Sequence, residues 1–272
     1  MLETNIKPSC LKPEIQAITY AGSGDFVHLY MQPPAWGYRP GQFVMVRPGE
    51  WGNDPVWPRP FSICEKTSDS LRLFIQVVGR GTSLISRLQP GSTLDMWGPL
   101  GNGFSFDPDV PLLILAGGMG IAPFIGLCKR HPHPGRINFL FGHRMGIECY
   151  PFAELPQKVN KTHLNQQTAG DIVSFQKVLE KRIRDFSGRG RILACGPSPF
   201  LKVVRKYSIE SGADTWISLE NRMACGVGAC LGCVTGTTTG EYLQTCTHGP
   251  VFRADEVVFE EDDRLLSAKP HL

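Results

Sequence analysis

Near its C-terminal end the sequence reads Cys225-Gly226-Val227-Gly228-Ala229-Cys230-Leu231-Gly232-Cys233, and Cys246 follows. Four residues separate the first two cysteines, two the next pair, and twelve lie before the last. A C-x4-C-x2-C run with a later fourth cysteine is the ligand spacing of a [2Fe–2S] cluster. Two irons need four thiolates at fixed directions, so three of them come from one tight loop. Gly226, Gly228 and Gly232 lack a Cβ and are free to take positive φ, which lets backbone N–H groups approach the sulfurs; such bonds help to set the reduction potential. A structural zinc site would show two short C-x2–4-C arms, and paired disulfides would need an oxidising compartment. The one dense loop fits neither pattern well.

The 272 residues are enough for two compact domains and a small appendage. The net charge of +3, with no Lys/Arg run, argues against a nucleic-acid surface. The opening stretch from Met1 to Cys10 carries no apolar core of a secretory signal, and the longest apolar run, Val110 to Ala116, is too short to span a bilayer. A cytoplasmic location is therefore expected, with Cys10, Cys64, Cys128, Cys149 and Cys195 as reduced thiols.

From Glu14 to Phe106 the pattern is of short strands and turns. Ile15–Tyr20, Phe26–Met31, Phe43–Val46 and Leu71–Val78 have strand character, and Tyr38–Gln42 and Pro90-Gly91 are turns. Strands at this spacing predict a small antiparallel β-barrel. Within it lies Arg59-Pro60-Phe61-Ser62-Ile63. Arg59 offers a planar fork for a diphosphate, Phe61 a flat apolar face, and Ser62 a hydroxyl for a ring nitrogen. An ordinary strand with a surface arginine and a buried phenylalanine explains the same residues. Gly79-Arg80-Gly81-Thr82 opens a short helix predicted over 83–87, with Thr82 as its cap and with Gly81 and Thr82 presenting N–H groups to phosphate.

At Asp107 the pattern changes. The continuous apolar run Pro111–Ala116 predicts a strand buried on both faces. Gly117-Gly118-Met119-Gly120 and a helix over 123–130 follow, a diphosphate-binding corner that lacks the full G-x-G-x-x-G. A strand over 136–142 ends in His143-Arg144, which reach either a nucleotide or only solvent. Asp171–Val173 reads as a loop before an amphipathic helix over 174–184. Arg191–Cys195 is a second buried strand, ending in Gly196-Pro197 before a helix over 198–211. Strand–helix alternation predicts a parallel α/β sheet with ligands at the strand C-terminal ends. Cys195 there either packs on a ligand ring or is inert filling. Thr235–Gly240 reads as a turn between two short strands, residues 248–259 as a closing edge, and Ala268–Leu272 as a loose tail.

The ordered motifs RPFSI, GRGT, AGGMGIAP, CGPSPF and CGVGACLGC…C…GPVF resemble the ferredoxin–NADP reductase superfamily. More closely, they are similar to the electron transfer subunits of NAD-linked (type B) dihydroorotate dehydrogenases. The resemblance implies a FAD-binding β-barrel over 8–106, an NAD-binding α/β domain over 107–218, and a C-terminal [2Fe–2S] domain over 219–272. Arg59, Pro60, Phe61 and Ser62 would hold FAD, Arg59 near the diphosphate and Ser62 near N5. Phe74, Ile75 and Gln76 would line the flavin through their backbone, and Gly81 and Thr82 would bind its phosphates. Gly118, Gly120, Cys195, Gly196 and Pro197 would meet the nicotinamide nucleotide, and Cys225, Cys230, Cys233 and Cys246 would bind the cluster. His248 stands where many members of that family have an acidic residue before Gly-Pro. The implied partner is an FMN-containing catalytic subunit that oxidises dihydroorotate in pyrimidine biosynthesis, in a heterotetramer of two of each. Sulfhydrogenases and ferredoxin-dependent transhydrogenases use subunits of the same three-part plan. No general acid or base on this chain is expected.

Overall fold

The computed structural model describes residues 8–49, 52 and 54–259. The expected tail at 268–272 lies outside the described residues.

The first unit is built from β1 (Ser9–Leu11), β2 (Ile15–Ala21), β3 (Phe26–Met31), β4 (Phe43–Pro48), β5 (Arg59–Lys66), β6 (Leu71–Gln76), helix α1 (Arg80–Ile85) and β7 (Leu94–Leu100). The seven strands form one antiparallel sheet in the order β1-β7-β4-β5-β6-β3-β2. Alternate residues (Val27, Leu29, Met31; Leu71, Leu73, Ile75) point into a shared core. Register shifts in β2, β4 and β5 bend the sheet. A bridge from Glu14 to Thr93 then ties the start of β2 to the start of β7 and curls it into a half-barrel.

The second unit contains β8 (Leu112–Gly117), α2 (Ala122–Arg130), β9 (Ile137–His143), β10 (Asn160–Asn165), α3 (Ala169–Phe186), β11 (Arg191–Cys195), α4 (Ser198–Ser211) and β12 (Thr215–Ser218). The C-terminal segment adds the hairpin β13 (Val234–Gly236) and β14 (Tyr242–Gln244), then β15 (Val251–Arg253). The large sheet runs β10-β9-β8-β11-β12-β15. It is parallel except for β15, which pairs antiparallel with β12. β8 is buried along its whole length. Leu112, Ile114 and Ala116 face the core that includes Phe124, Ile125 and Leu127 of α2, while Leu113 and Leu115 face Leu179, Ile183 and Leu201 of α3 and α4. Period-two alternation between two helical layers explains why an unbroken apolar run is needed there.

Four details differ from the sequence reading. Thr82 is inside α1, not its cap: Gly79 is the cap, and the Thr82 hydroxyl accepts from the N–H groups of Val78 and Gly79. Asp171–Val173 is the first turn of α3, because Thr168 caps it and Thr168 and Asp171 exchange hydrogen bonds of 2.8 and 3.2 Å. β10 is a polar edge strand with no alternation to reveal it. β15 serves as the sixth strand of the central sheet, so the C-terminal segment is stitched into the α/β unit. Among the described residues no helix is long and apolar enough to cross a membrane.

The two units meet across a charged joint. Arg72 of β6, 4% exposed, donates to both carboxylate oxygens of Glu154 at 2.8 and 2.9 Å. Lys129 of α2 bridges Glu154 and Glu65 of β5 at 2.8 and 2.9 Å. Burial pushes the Glu154 carboxyl up, but hydrogen bonds from Arg72 and Lys129 outweigh it and hold the group below its usual range. Glu154→Ala would leave the Arg72 guanidinium 3.6 Å from Glu65 as its remaining carboxylate partner. Arg72 is buried while the Glu154 side chain is 34% exposed, so leaving the guanidinium short of this partner costs on the order of 1–3 kcal/mol. Thermal unfolding should show that loss at neutral pH. Because the Glu154 pKa is depressed in the fold, the parent's advantage should shrink as pH falls through the carboxylate range.

Candidate functional site: two adjoining cavities beside a cysteine loop

A cavity of about 330 Å³ opens between the half-barrel and the C-terminal end of β12. Pro60, Phe61 and Ser62 of β5 and Phe74, Ile75 and Gln76 of β6 line one wall, with Thr82 at the edge. Phe74 and Ile75 send their side chains into the core, 2% and 1% exposed, so strand backbone forms much of this wall. Cys195, Ser218, Glu220 and Asn221 line the opposite wall. Arg59 and Gly81 are not among the lining residues. Arg59 lies on the first turn of α1, where a Cβ on Gly81 would sit 2.9 Å from its Nε, and its Nη1 donates to the carbonyls of Trp57 and Pro58. A flat apolar floor, a hydroxyl and a nearby guanidinium suit an aromatic ring system carrying a phosphate tail.

A second cavity of about 610 Å³ lies over the C-terminal ends of β8, β9 and β11. Gly118, Pro197 and Phe200 line it, as do His143 and Arg144. His143 is fixed on both sides, by a 2.6 Å contact from Nδ1 to the Met145 carbonyl and a 3.0 Å contact from Nε2 to Nδ1 of His163. Gly120 and Gly196 do not reach this cavity. A Cβ on Gly120 would lie 2.0 Å from the Cys195 carbonyl oxygen, so this glycine exists to let the turns after β8 and β11 touch. Gly196 packs against Phe200 and Gly117. Burial, and then the nearby Glu220, push the Cys195 thiol far up, so it is a neutral surface rather than a nucleophile.

The two cavities share a wall. Gln76, Met119 and Glu220 line both. Glu220 is open to the cavities, yet so ringed by protein that burial raises its carboxyl above the usual range.

The cysteine loop packs on the half-barrel beside the first cavity. A Cβ on Gly226 (φ +72°) would lie 2.5 Å from Met45 of β4, and Trp97 of β7 donates to the Cys225 carbonyl at 3.0 Å. Gly228 (φ +81°) turns its N–H to Cys246 Sγ at 3.2 Å, and the N–H groups of Val227 and Cys230 reach Cys225 Sγ at 3.4 Å. Gly232 does not adopt a positive φ; its neighbour Leu231 does, at +56°. Burial pushes the Cys225 thiol up, but the N–H bonds prevail and bring it down to about 7, while burial and Cys233 push Cys246 up to about 12. Cys225 also feels the neighbouring Cys230 side chain, and Cys246 feels both Cys233 and Cys225. Among the described residues no three cysteine, histidine or carboxylate side chains gather to hold a single metal ion. Four cysteines, with loop N–H groups turned to the sulfurs of Cys225 and Cys246, suit a group with two metal centres, each taking two thiolates, better than one four-coordinate ion.

These features have counterparts in known proteins. The iron–sulfur cluster binding domain of dihydroorotate dehydrogenase B matches residues 220–258. The dihydroorotate dehydrogenase B (NAD(+)) electron transfer subunit of Listeria monocytogenes is 35% identical over 231 residues, covering 81% of this chain and 88% of that protein. The chain belongs to the family of dihydroorotate dehydrogenase B electron transfer subunits. An Aquifex aeolicus homolog is 33% identical over 258 residues, 91% of this chain and 98% of that protein. The structure of NADH-dependent reduced ferredoxin-NADP oxidoreductase superposes with a TM-score of 0.78 at 26% identity, covering 95% of this chain and 94% of that one. Ferredoxin-NADP+ reductase from Plasmodium falciparum shares the fold (TM-score 0.64, 15% identity, 78% and 96% covered). The motif-based resemblance to this family, and the multidomain plan of antiparallel half-barrel, α/β sheet and C-terminal cysteine segment, therefore hold.

Sequence reasoning missed Glu220 and Asn221. Neither belongs to a motif, and only the meeting of β12 with the half-barrel brings them to the cavities. Because the Glu220 pKa is raised in the fold, its contribution to stability is intact below the ordinary carboxylate pKa and falls as pH rises. Glu220→Gln should therefore unfold at a higher temperature than the parent near about pH 8, with the gap closing toward about pH 4. Each kcal/mol relieved would shift the midpoint by about 2–4 °C.

Proposed function

We propose that this chain carries electrons between the FMN of a dihydroorotate-oxidising catalytic subunit and NAD, through a [2Fe–2S] cluster and FAD, in pyrimidine biosynthesis. The observation that carries this reading is the shared wall at Gln76, Met119 and Glu220, which sets a flavin-shaped cavity against a nucleotide-sized one. The cysteine loop abuts the half-barrel at strands β4 and β7. Flavin exchanges electrons singly or in pairs, and so links one-electron cluster steps to hydride transfer.

In this reading the three segments 8–106, 107–218 and 219–272 serve FAD, NAD and the cluster respectively. Pro60, Phe61 and Ser62 hold and orient the flavin ring, and the backbone of Phe74 to Gln76 flanks it. Arg59, resting on Gly81, is placed for the diphosphate, with Thr82 bracing the turn beneath. Gly118 and Pro197 border the nucleotide, Gly120 and Gly196 hold the two turns together, and Cys195 presents a neutral surface. Cys225, Cys230, Cys233 and Cys246 ligate the cluster. The complex would be a cytoplasmic heterotetramer of two subunits of each kind.

A second reading has an observation of its own. The close superposition on NADH-dependent reduced ferredoxin-NADP oxidoreductase also suits a diaphorase subunit of a ferredoxin-dependent transhydrogenase or a sulfhydrogenase. The native complex, purified anaerobically through a tag on this chain, separates the two. Equal yields of orotate and NADH from dihydroorotate and NAD are expected. No NADH, with NADH still reducing an artificial dye, would instead favour the second reading.

Two substitutions test the sites. Cys230→Ser should abolish the cluster signal and leave FAD largely in place, read from iron and flavin content; a folded variant that loses both groups would contradict the division of sites. Arg59→Ala should weaken FAD retention on dialysis, because charge-assisted contacts to phosphate are about twice as strong as neutral ones.

A further inference from the structure

Asn221 lies just past the end of β12 and lines the flavin-side cavity. Its side-chain amide points the other way, into the cysteine segment. Nδ2 donates to Thr245 Oγ1 at 2.8 Å and to the carbonyls of Cys233 and Val234 at 3.3 Å each. Thr245 is fully buried, precedes Cys246, and donates its own N–H to the Cys233 carbonyl at 2.9 Å. One amide thus ties together the two stretches that carry Cys233 and Cys246. The backbone on the cavity side is held as well, since the Leu219 N–H donates to the Pro250 carbonyl at 2.8 Å.

The four cysteines are unequal in the same sense. Cys233 and Cys246 are 2% and 1% exposed and pack with Phe43, Met45 and Leu100, whereas Cys225 is half-buried and Cys230 exposed. Phe43 also lines the flavin-side cavity. The inner pair therefore shares a buried cluster with Phe43, a residue of the cavity wall, whereas the outer pair lies nearer the surface.

We propose that Asn221 is the positioning residue for electron passage between flavin and cluster, holding the Cys233–Cys246 edge against the flavin cavity as the inner contact of the cluster. This rests on the cofactor assignment above. Each crossing takes one electron from reduced flavin and converts one Fe(III) of the cluster to Fe(II), and no bond on the protein changes. Electron passage depends on how firmly this edge is held, and an amide shared by three acceptors fixes it with no charge placed beside the sulfurs.

The test uses the purified full chain with its cofactors, mixed anaerobically with NADH, and follows flavin bleaching and cluster reduction separately. Wild-type protein without a cluster signal would undo the cofactor assignment itself. With both groups present, Asn221→Ala should retain iron and flavin, shift the g-values of the reduced cluster's EPR spectrum, and slow the flavin-to-cluster step far more than the NADH-to-flavin step. Outer-shell partners of metal ligands are typically worth roughly 10–100-fold, and a loss in that range is expected for the cluster step. Thr245→Val, which removes one acceptor and keeps the shape, should show the same selective effect in weaker form, and it decides the matter if Asn221→Ala loses its iron. Unchanged spectra and cluster rates, or equal slowing of both steps, would overturn the proposal and leave Asn221 as a brace of the fold.

Discussion

A buried guanidinium sets the geometry on which the rest of this molecule depends. Arg72 leaves the half-barrel and is met by Glu154 from the α/β unit, with Lys129 and Glu65 closing the charge cluster. Ions taken out of water are costly unless well paired, so the joint tolerates little sliding. Close backbone packing reinforces it: a Cβ on Gly126 of α2 would lie 2.5 Å from the Tyr38 hydroxyl and 2.9 Å from the Cys64 carbonyl oxygen. The first cavity exists only because these units are fixed against each other, and the wall it shares with the second draws residues from both.

The same economy of position runs through the site. Gly120 lets the turns after β8 and β11 touch, which brings Met119 and Cys195 to the flavin-side cavity. β15 returns from the cysteine segment to pair with β12, so the cysteine loop is anchored to the sheet beneath the second cavity. Asn102 strengthens that anchor, donating to the carbonyls of His248 and Val251 and accepting from the Val251 N–H. Adjacency is what a protein contributes when the cofactors supply the chemistry.

Much of this was legible in the sequence, and the limits have physical reasons. The cysteine spacing is readable because metal–ligand directions fix it. β8 is readable because burial on two faces leaves no room for polar residues. β10 escaped notice because an edge strand such as Asn160–Asn165 need not alternate. Thr82 reads as a cap but lies inside α1, since a threonine near a helix start serves as well inside the first turn as at the cap, and only the backbone decides. The partner of β15 was not legible because its residues state that a strand forms, not which strand it meets. Glu220 and Asn221 reach the cavity walls through tertiary placement alone, so no local pattern in the sequence marks them.

The central claim is that flavin and nicotinamide meet at the shared wall and that the cluster communicates through the flavin. The most direct measurement is anaerobic rapid mixing of the isolated, cofactor-loaded chain with NADH, with flavin and cluster absorbance resolved in time. The flavin band should bleach first and the cluster should be reduced afterwards, at a rate limited by the flavin. A flavin band that NADH leaves unchanged, or a cluster reduced before the flavin, would contradict it.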